Sequence, residues 1–77
     1  MSLKIKFRRW YKNTGKIMRM QQGDDNLMAV MFKKGKNYEV GVWKYLDQKK
    51  TFKMLEIRTD MKLQEARNKF VKTVMEF

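Results

Sequence analysis

The stretch YEVGVWKYLDQKKTFKMLEIR, residues 38–58, decides how the rest of the chain is interpreted. It predicts a β-hairpin, because β-branched and aromatic residues fill both halves and the polar segment DQKK between them suits a hairpin loop. Successive side chains of a strand point to opposite faces of the sheet. One face of the first strand therefore carries Val40 and Val42, and the other carries Trp43 and Tyr45. The hairpin is predicted to have two chemically different faces.

The side chains of the second strand of this hairpin also divide between the two faces of the sheet. Leu55 and Ile57 share one face, whereas Phe52 and Arg58 share the other. A suitable register gathers the aliphatic residues of both strands on one side of the sheet, and Arg58 then lies on the face of the two aromatic residues. The predicted aliphatic set is Val40, Val42, Leu46, Leu55 and Ile57.

The remaining segments predict more strands and one helix. Leu3, Ile5 and Phe7 alternate with basic residues, which favours a half-buried strand. After Asp60 the apolar residues recur at three and four positions, which is typical of an amphipathic helix with Thr59 or Asp60 as N-cap. The fold class is therefore α+β, with an antiparallel sheet of four to five strands followed by one C-terminal amphipathic helix packed on one sheet face. The predicted strands cover about residues 3–12, 16–20, 27–33, 38–46 and 51–58, and the helix about 60–77.

Length and composition indicate a single domain, residues 1–77. At 77 residues and 43% hydrophobic content the chain can fold, but it is near the size at which one core is marginally stable. It has no Cys, so no disulfide supplements the core, and a reducing cytoplasm is the expected location. No apolar run follows the basic N-terminal residues, which argues against a secretory signal and a membrane span.

The charge is strongly positive. The formal net charge is +11, from 19 Lys and Arg against 8 Asp and Glu. Such an imbalance favours a polyanionic partner, although a cationic solubilising surface gives the same composition. The basic residues are concentrated at the N-terminus, where no acidic residue precedes Asp24: Lys4, Lys6, Arg8, Arg9, Lys12, Lys16 and Arg19.

The chain has few residues of the types that usually act in catalysis. The chain has no His or Cys, and its only Ser is Ser2, so Ser–His and Cys–His pairs are excluded. Neither common Gly-rich phosphate loop occurs. The segment from Gln21 to Asn26 contains Asp24 and Asp25 but lacks the ligand spacing of a calcium loop, so a polar turn is expected. We expect no enzyme, cofactor, metal site or small-molecule substrate.

The basic and aromatic residues of the chain favour nucleic-acid binding. Cations displace the counterions of a phosphate backbone, and aromatic rings on a sheet stack with unpaired bases. The basic face of the first predicted strand, together with the aromatic face of the hairpin, therefore predicts a DNA-binding surface, with single strands favoured over duplexes and DNA over RNA. Its predicted residues are Lys4, Lys6, Arg8, Trp10, Lys12, Trp43, Tyr45 and Arg58.

Two alternatives stay open at this stage. Trp10, Trp43 and Tyr45 are equally consistent with a buried core or a homodimer contact, since large aromatic residues are most often buried. The whole protein is also consistent with a homo-oligomeric accessory protein whose basic surface meets an acidic protein partner.

Strands followed by one C-terminal helix resemble the layout of two groups of small nucleic-acid binders. Residues 38–43, followed by a turn and a final helix, resemble the dimeric, coactivator-like single-stranded-DNA-binding domains. Residues 59–66, TDMKLQEA, resemble the passage into the helix of the arm-binding domains of phage-type integrases. The first resemblance implies a single-strand-binding homodimer, and the second implies a duplex binder.

Overall fold

A computed structural model describes residues 2–12 and 15–77 of the chain. The four strands form one antiparallel sheet in the order β1-β2-β3-β4. The predicted α+β class, with an antiparallel sheet and a C-terminal helix, is confirmed, and a short N-terminal helix is added. The elements are α1 (Leu3–Trp10), β1 (Lys16–Gln22), β2 (Leu27–Lys34), β3 (Asn37–Leu46), β4 (Thr51–Met61) and α2 (Leu63–Met75).

The predicted first strand over 3–12 is wrong, because this segment forms helix α1. Leu3 and Phe7 are buried and Tyr11 is partly buried, which is the spacing of a helical stripe. Ile5, which the alternation placed with them, is 45% exposed. The hydroxyl of Ser2 accepts a hydrogen bond from the backbone N–H of Ile5 at 3.3 Å and caps the helix.

The predicted hairpin is confirmed as β3 and β4, and its loop is the predicted four-residue segment 47–50. The preceding turn between β2 and β3 depends on Gly35, whose φ of +60 suits the first central position of a tight hairpin turn. β1 and β2 are joined through the predicted polar turn, where Asp25 and Asn26 have positive φ. The turn predicted at 13–15 lies largely outside the described residues.

A β-bulge in β4 separates the two halves of that strand. Trp43 pairs with Met54 and Val42 pairs with Glu56, so Leu55 is an extra residue without a partner in β3. Because a one-residue insertion reverses the faces, Arg58 lies opposite Val40. The predicted gathering of Leu55 and Ile57 with the aliphatic residues of β3 is therefore wrong.

The C-terminal helix begins later than predicted. β4 continues through Thr59 and Asp60 to Met61, so neither predicted N-cap residue caps the helix. Lys62 is the N-cap residue, and its backbone N–H donates to the carboxylate of Glu65 at 3.4 Å. This return bond from the third helical position satisfies a donor that the helix itself leaves unpaired.

Two hydrophobic clusters form on opposite faces of the sheet, because successive residues of β2 contribute to one and then the other. The α1-side cluster contains Leu3 and Phe7 of α1 together with strand residues Met28, Val30, Phe32, Trp43, Tyr45 and Phe52. The α2-side cluster contains Ala66 and Phe70 of α2 together with Ala29, Met31, Val40 and Met61. Phe77, the last residue, packs against this second cluster.

Candidate nucleic-acid interface

The sheet face that was predicted to be an open aromatic platform is covered by α1. Trp43 is 2% exposed and Tyr45 is 8% exposed. The ring of Phe7 lies 5.0 Å from that of Trp43, in an edge-on arrangement. The prediction of these two residues as exposed stacking surfaces is wrong, and the buried-core alternative is correct for both.

Helix α1 presents a basic outer face instead. Arg8 and Arg9 are exposed, and they lie on the side of the helix opposite the buried Leu3 and Phe7. Lys12 is also exposed and follows the end of the helix. Lys4, which is exposed, and Lys6, which is half-buried, flank this face on its two sides. Of the predicted basic residues of the N-terminal segment, Lys4, Lys6 and Arg8 are thus carried by a helix and not by a strand.

A shallow groove lies between α1 and the turn that joins β3 to β4. It has a volume of about 360 Å³. Among the described residues that line it, three are cationic, three are aromatic and none is acidic. We call it the basic–aromatic groove, and its residues are Lys6, Arg9, Trp10, Tyr45, Lys50 and Phe52.

The aromatic rings of this groove are held by one another. Phe52 lies 5.2 Å from Trp10 and 5.0 Å from Tyr45, measured between ring centroids. The ammonium of Lys6 lies 4.7 Å from the centroid of the Tyr45 ring, close enough for a cation–π interaction. Trp10 is 38% exposed and remains accessible at the edge of the groove. An exposed indole beside cationic side chains can stack with a planar ligand, and the cations can pair with negative charge on the same ligand.

Arg9 and Lys50 were missed by the sequence interpretation. Their signal was present, because Lys6, Arg9 and Trp10 stand three and four residues apart and share one side of a helix. A strand would place Arg9 on the face opposite Lys6 and Trp10, so the strand interpretation left Arg9 out. Lys50 reaches the groove from the hairpin turn, where its φ is +50.

Arg58 lies apart from the other predicted residues. It lines a second surface beside α2, where its neighbours include Lys69 and Lys72. On the same side of the sheet, the carboxylate of Glu56 forms an ion pair with the ammonium of Lys69 at 2.7 Å. The bulge at Leu55 places Arg58 here, so its predicted position beside Trp43 and Tyr45 is wrong.

Other features of the described residues concern metal binding, the acidic turn and membrane spanning. Among residues 2–12 and 15–77, no group of three or more acidic side chains is placed to hold a metal ion. Asp25, in the acidic turn, forms an ion pair with Lys44 at 3.0 Å. No helix in the described part of the chain is long and apolar enough to cross a lipid bilayer.

Comparison with known proteins gives no relative from which a function could be transferred. No family model, no curated protein and no solved structure matches the chain. The function is therefore argued from the chain's own residues.

Proposed function

We propose that this chain is a small DNA-binding module that contacts the phosphate backbone through α1 and stacks an unpaired base on Trp10 in the basic–aromatic groove. The observation that carries the proposal is the composition of that groove, where Lys6, Arg9 and Lys50 surround aromatic rings. The proposal takes α2 to cover the opposite sheet face and the cytoplasm to be the location. It leaves Trp43 and Tyr45 in the supporting core.

The electrostatic part of the proposal comes from the distribution of charge. Cations that neutralise phosphates release condensed counterions, which supplies affinity without regard to sequence. The outer face of α1 carries Arg8 and Arg9, and the exposed Lys12 follows the end of the helix. Part of the positive charge of the sheet is neutralised by ion pairs, as in the pair of Lys34 with Glu39 at 3.4 Å.

The preference for single strands comes from the accessible indole. A base in a duplex is stacked on its neighbours, so only an unpaired base can be placed against Trp10 without an unstacking cost. A duplex would meet the cations of α1 but leave the groove unused. Binding to a single strand should therefore quench Trp10, whereas the buried Trp43 contributes a constant background.

The test is a salt titration of binding to a labelled single-stranded DNA, to its duplex and to RNA of the same sequence. The double variant Lys6→Gln/Lys50→Gln should weaken single-strand binding and lower the salt slope by about 0.7 for each phosphate contact removed. The matched control is Lys33→Gln/Lys36→Gln, which removes the same charge from exposed residues of the sheet and its turn. Equal losses in the two double variants would show that net charge alone drives binding.

Variants of Trp10 test the stacking step separately. Trp10→Ala should lower single-strand affinity by about 1–3 kcal/mol, whereas Trp10→Phe should keep most of it and lose the fluorescence quenching. Quenching that persists in Trp10→Phe would contradict the groove assignment. Absence of salt-dependent affinity for any of the three nucleic acids would reject the function and favour the accessory protein with an acidic partner.

A further inference from the structure

The outer edge of β4 has features that the proposed function does not use. β4 is the last strand of the sheet, and within residues 2–12 and 15–77 no strand pairs with its outer edge. Its residues 53–60 are all exposed, including Met54 at 53% and Leu55 at 50%. Unpaired backbone N–H and C=O groups beside exposed apolar side chains form a template for another strand, which proteins usually block with Pro, short strands or cover. β4 has 11 residues and no Pro.

We propose that two copies of this chain pair through the outer edges of their β4 strands, antiparallel and centred on Ile57. This inference goes beyond the proposed function and stands on the sheet edge alone. It commits to a second copy because, among the registers centred on residues 55–58, only the one centred on Ile57 places oppositely charged side chains across from each other.

Symmetry restricts the choice of register. A two-fold axis through two antiparallel edge strands keeps each residue on its own sheet face, so directly opposed residues must lie on the same face. Centring the pair on Glu56 would place two carboxylates opposite each other, which is unfavourable. Centring it on Leu55 is excluded, because the bulge there puts Met54 and Glu56 on opposite faces of the sheet.

The register centred on Ile57 satisfies both kinds of side chain. It places Glu56 opposite Arg58 of the second copy, and by symmetry it forms this ion pair twice. On the other face it places Ile57 opposite its own copy. Ile57 is 36% exposed in the single chain, so its side chain is available for this contact. β4 continues to Met61, but Asp60 has a φ of +58, which is not an extended conformation, so regular pairing of the two edges ends at Thr59.

This arrangement has a consequence for the basic surface. A two-fold axis perpendicular to the sheet keeps both α1 helices on the same face of the joined sheet. Each copy carries a net charge of +11, so the two copies repel each other at low ionic strength. Dimerisation should therefore strengthen as salt is added, opposite to the salt dependence expected of nucleic-acid binding.

A charge exchange tests the register by analytical ultracentrifugation of the full chain without nucleic acid. The wild type should approach twice the monomer mass of 9.4 kDa as protein and salt concentrations rise. Glu56→Arg and Arg58→Glu should each abolish the dimer, and the double variant should restore it. Lys69→Gln is the control for loss of the Glu56–Lys69 ion pair within one copy, and it should leave the dimer intact.

A monomeric wild type at all concentrations would overturn the proposal, and so would dimers that both single reversals leave unchanged. Neither result bears on DNA binding, which is measured separately and weakens with salt, so failure of one proposal is distinguishable from failure of the other.

A cysteine at the two-fold axis gives an independent test, since the natural chain has no Cys. Directly opposed residues of antiparallel strands have Cα atoms about 4.5–5.5 Å apart, within the range that a disulfide spans. Ile57→Cys should therefore form a covalent dimer under mild oxidation. Val71→Cys is the control, because Val71 is 50% exposed but lies on α2. Equal cross-linking of the two variants, or none at position 57, would overturn the proposed edge.

Discussion

At the scale of single residues, Gly41 fixes the position of the Trp43 indole. A Cβ atom added at Gly41 would lie 2.5 Å from Cη2 and 2.6 Å from Cζ3 of Trp43, and 3.0 Å from Cδ1 of Ile57. The indole therefore lies directly over the glycine. Because Trp43 is also held by Phe7 and Phe32, it has little freedom to move away.

We predict that Gly41→Ala destabilises the fold by about 1–3 kcal/mol through overpacking. Trp43→Phe removes the outer ring and should partly relieve that clash, so the double variant should be less destabilised than the sum of the two single variants. Urea unfolding followed by circular dichroism measures all three, since it does not depend on the tryptophan signal. Additive losses would mean that the indole does not rest on Gly41.

The residue scale also shows what the sequence could predict. The two faces of β3 were predicted correctly, because its alternation runs unbroken from Tyr38 to Tyr45 and the two clusters divide accordingly. The faces of β4 were not, because Leu55 is inserted without a Gly or Pro to mark it. A bulge of this kind is set by pairing with the neighbouring strand, which periodicity within one strand does not report.

At the scale of elements, α1 is a short helix that depends on its contacts. Eight residues are too few for a stable isolated helix in water. The segment carries two patterns at once: Leu3, Ile5 and Phe7 fit a strand, whereas Leu3, Phe7 and Tyr11 fit a helix. Two contacts favour the helix: the N-cap hydrogen bond of Ser2, and the packing of Leu3 and Phe7 against the sheet. Only the N-cap can be recognised from the neighbouring sequence.

Phe7 is the residue that anchors this helix. It is fully buried, and its ring lies 5.2 Å from Tyr11 and 5.2 Å from Phe52. We predict that Phe7→Ala costs about 3–5 kcal/mol, a large part of the total stability of a small domain. Trp43 should then become exposed, which a red shift of its fluorescence would report in a Trp10→Phe background.

Ile5→Ala is the matched variant on the same helix. Ile5 is 45% exposed, so its truncation should change the free energy of unfolding by no more than about 0.5 kcal/mol. Comparable losses for the two variants would contradict the helical arrangement, because a strand would bury Ile5 and Phe7 together.

At the scale of the whole molecule, the charge was readable from the sequence but its arrangement was not. The net charge of +11 follows from counting, whereas the basic–aromatic groove requires α1 and the hairpin turn to meet. Lys6 and Lys50 are 44 positions apart, by subtraction of their residue numbers, and only the tertiary fold brings them to one groove. Arg58, predicted for that same surface, lies beside α2 because of one inserted residue.

The same charge makes the folded state sensitive to salt. Compact positive charges repel one another, and added salt screens those that are exposed and far apart. We predict that sodium chloride raises the Tm of the free protein, with each 1 kcal/mol of relieved repulsion giving about 4–8 °C for a domain of this size. Thermal unfolding followed by circular dichroism, at protein concentrations that keep the chain monomeric, measures this change.

The variant Lys36→Gln/Lys49→Gln/Lys53→Gln separates repulsion from general salt effects on hydrophobic burial. All three residues are exposed, and none lines the basic–aromatic groove. Removing three charges lowers the net charge from +11 to +8, since 11 minus 3 is 8. The variant should therefore be more stable than the wild type at low salt and respond less to added salt. If both proteins gained equally, the salt effect would come from burial of apolar surface, and the excess charge would be free to serve binding without a cost in stability.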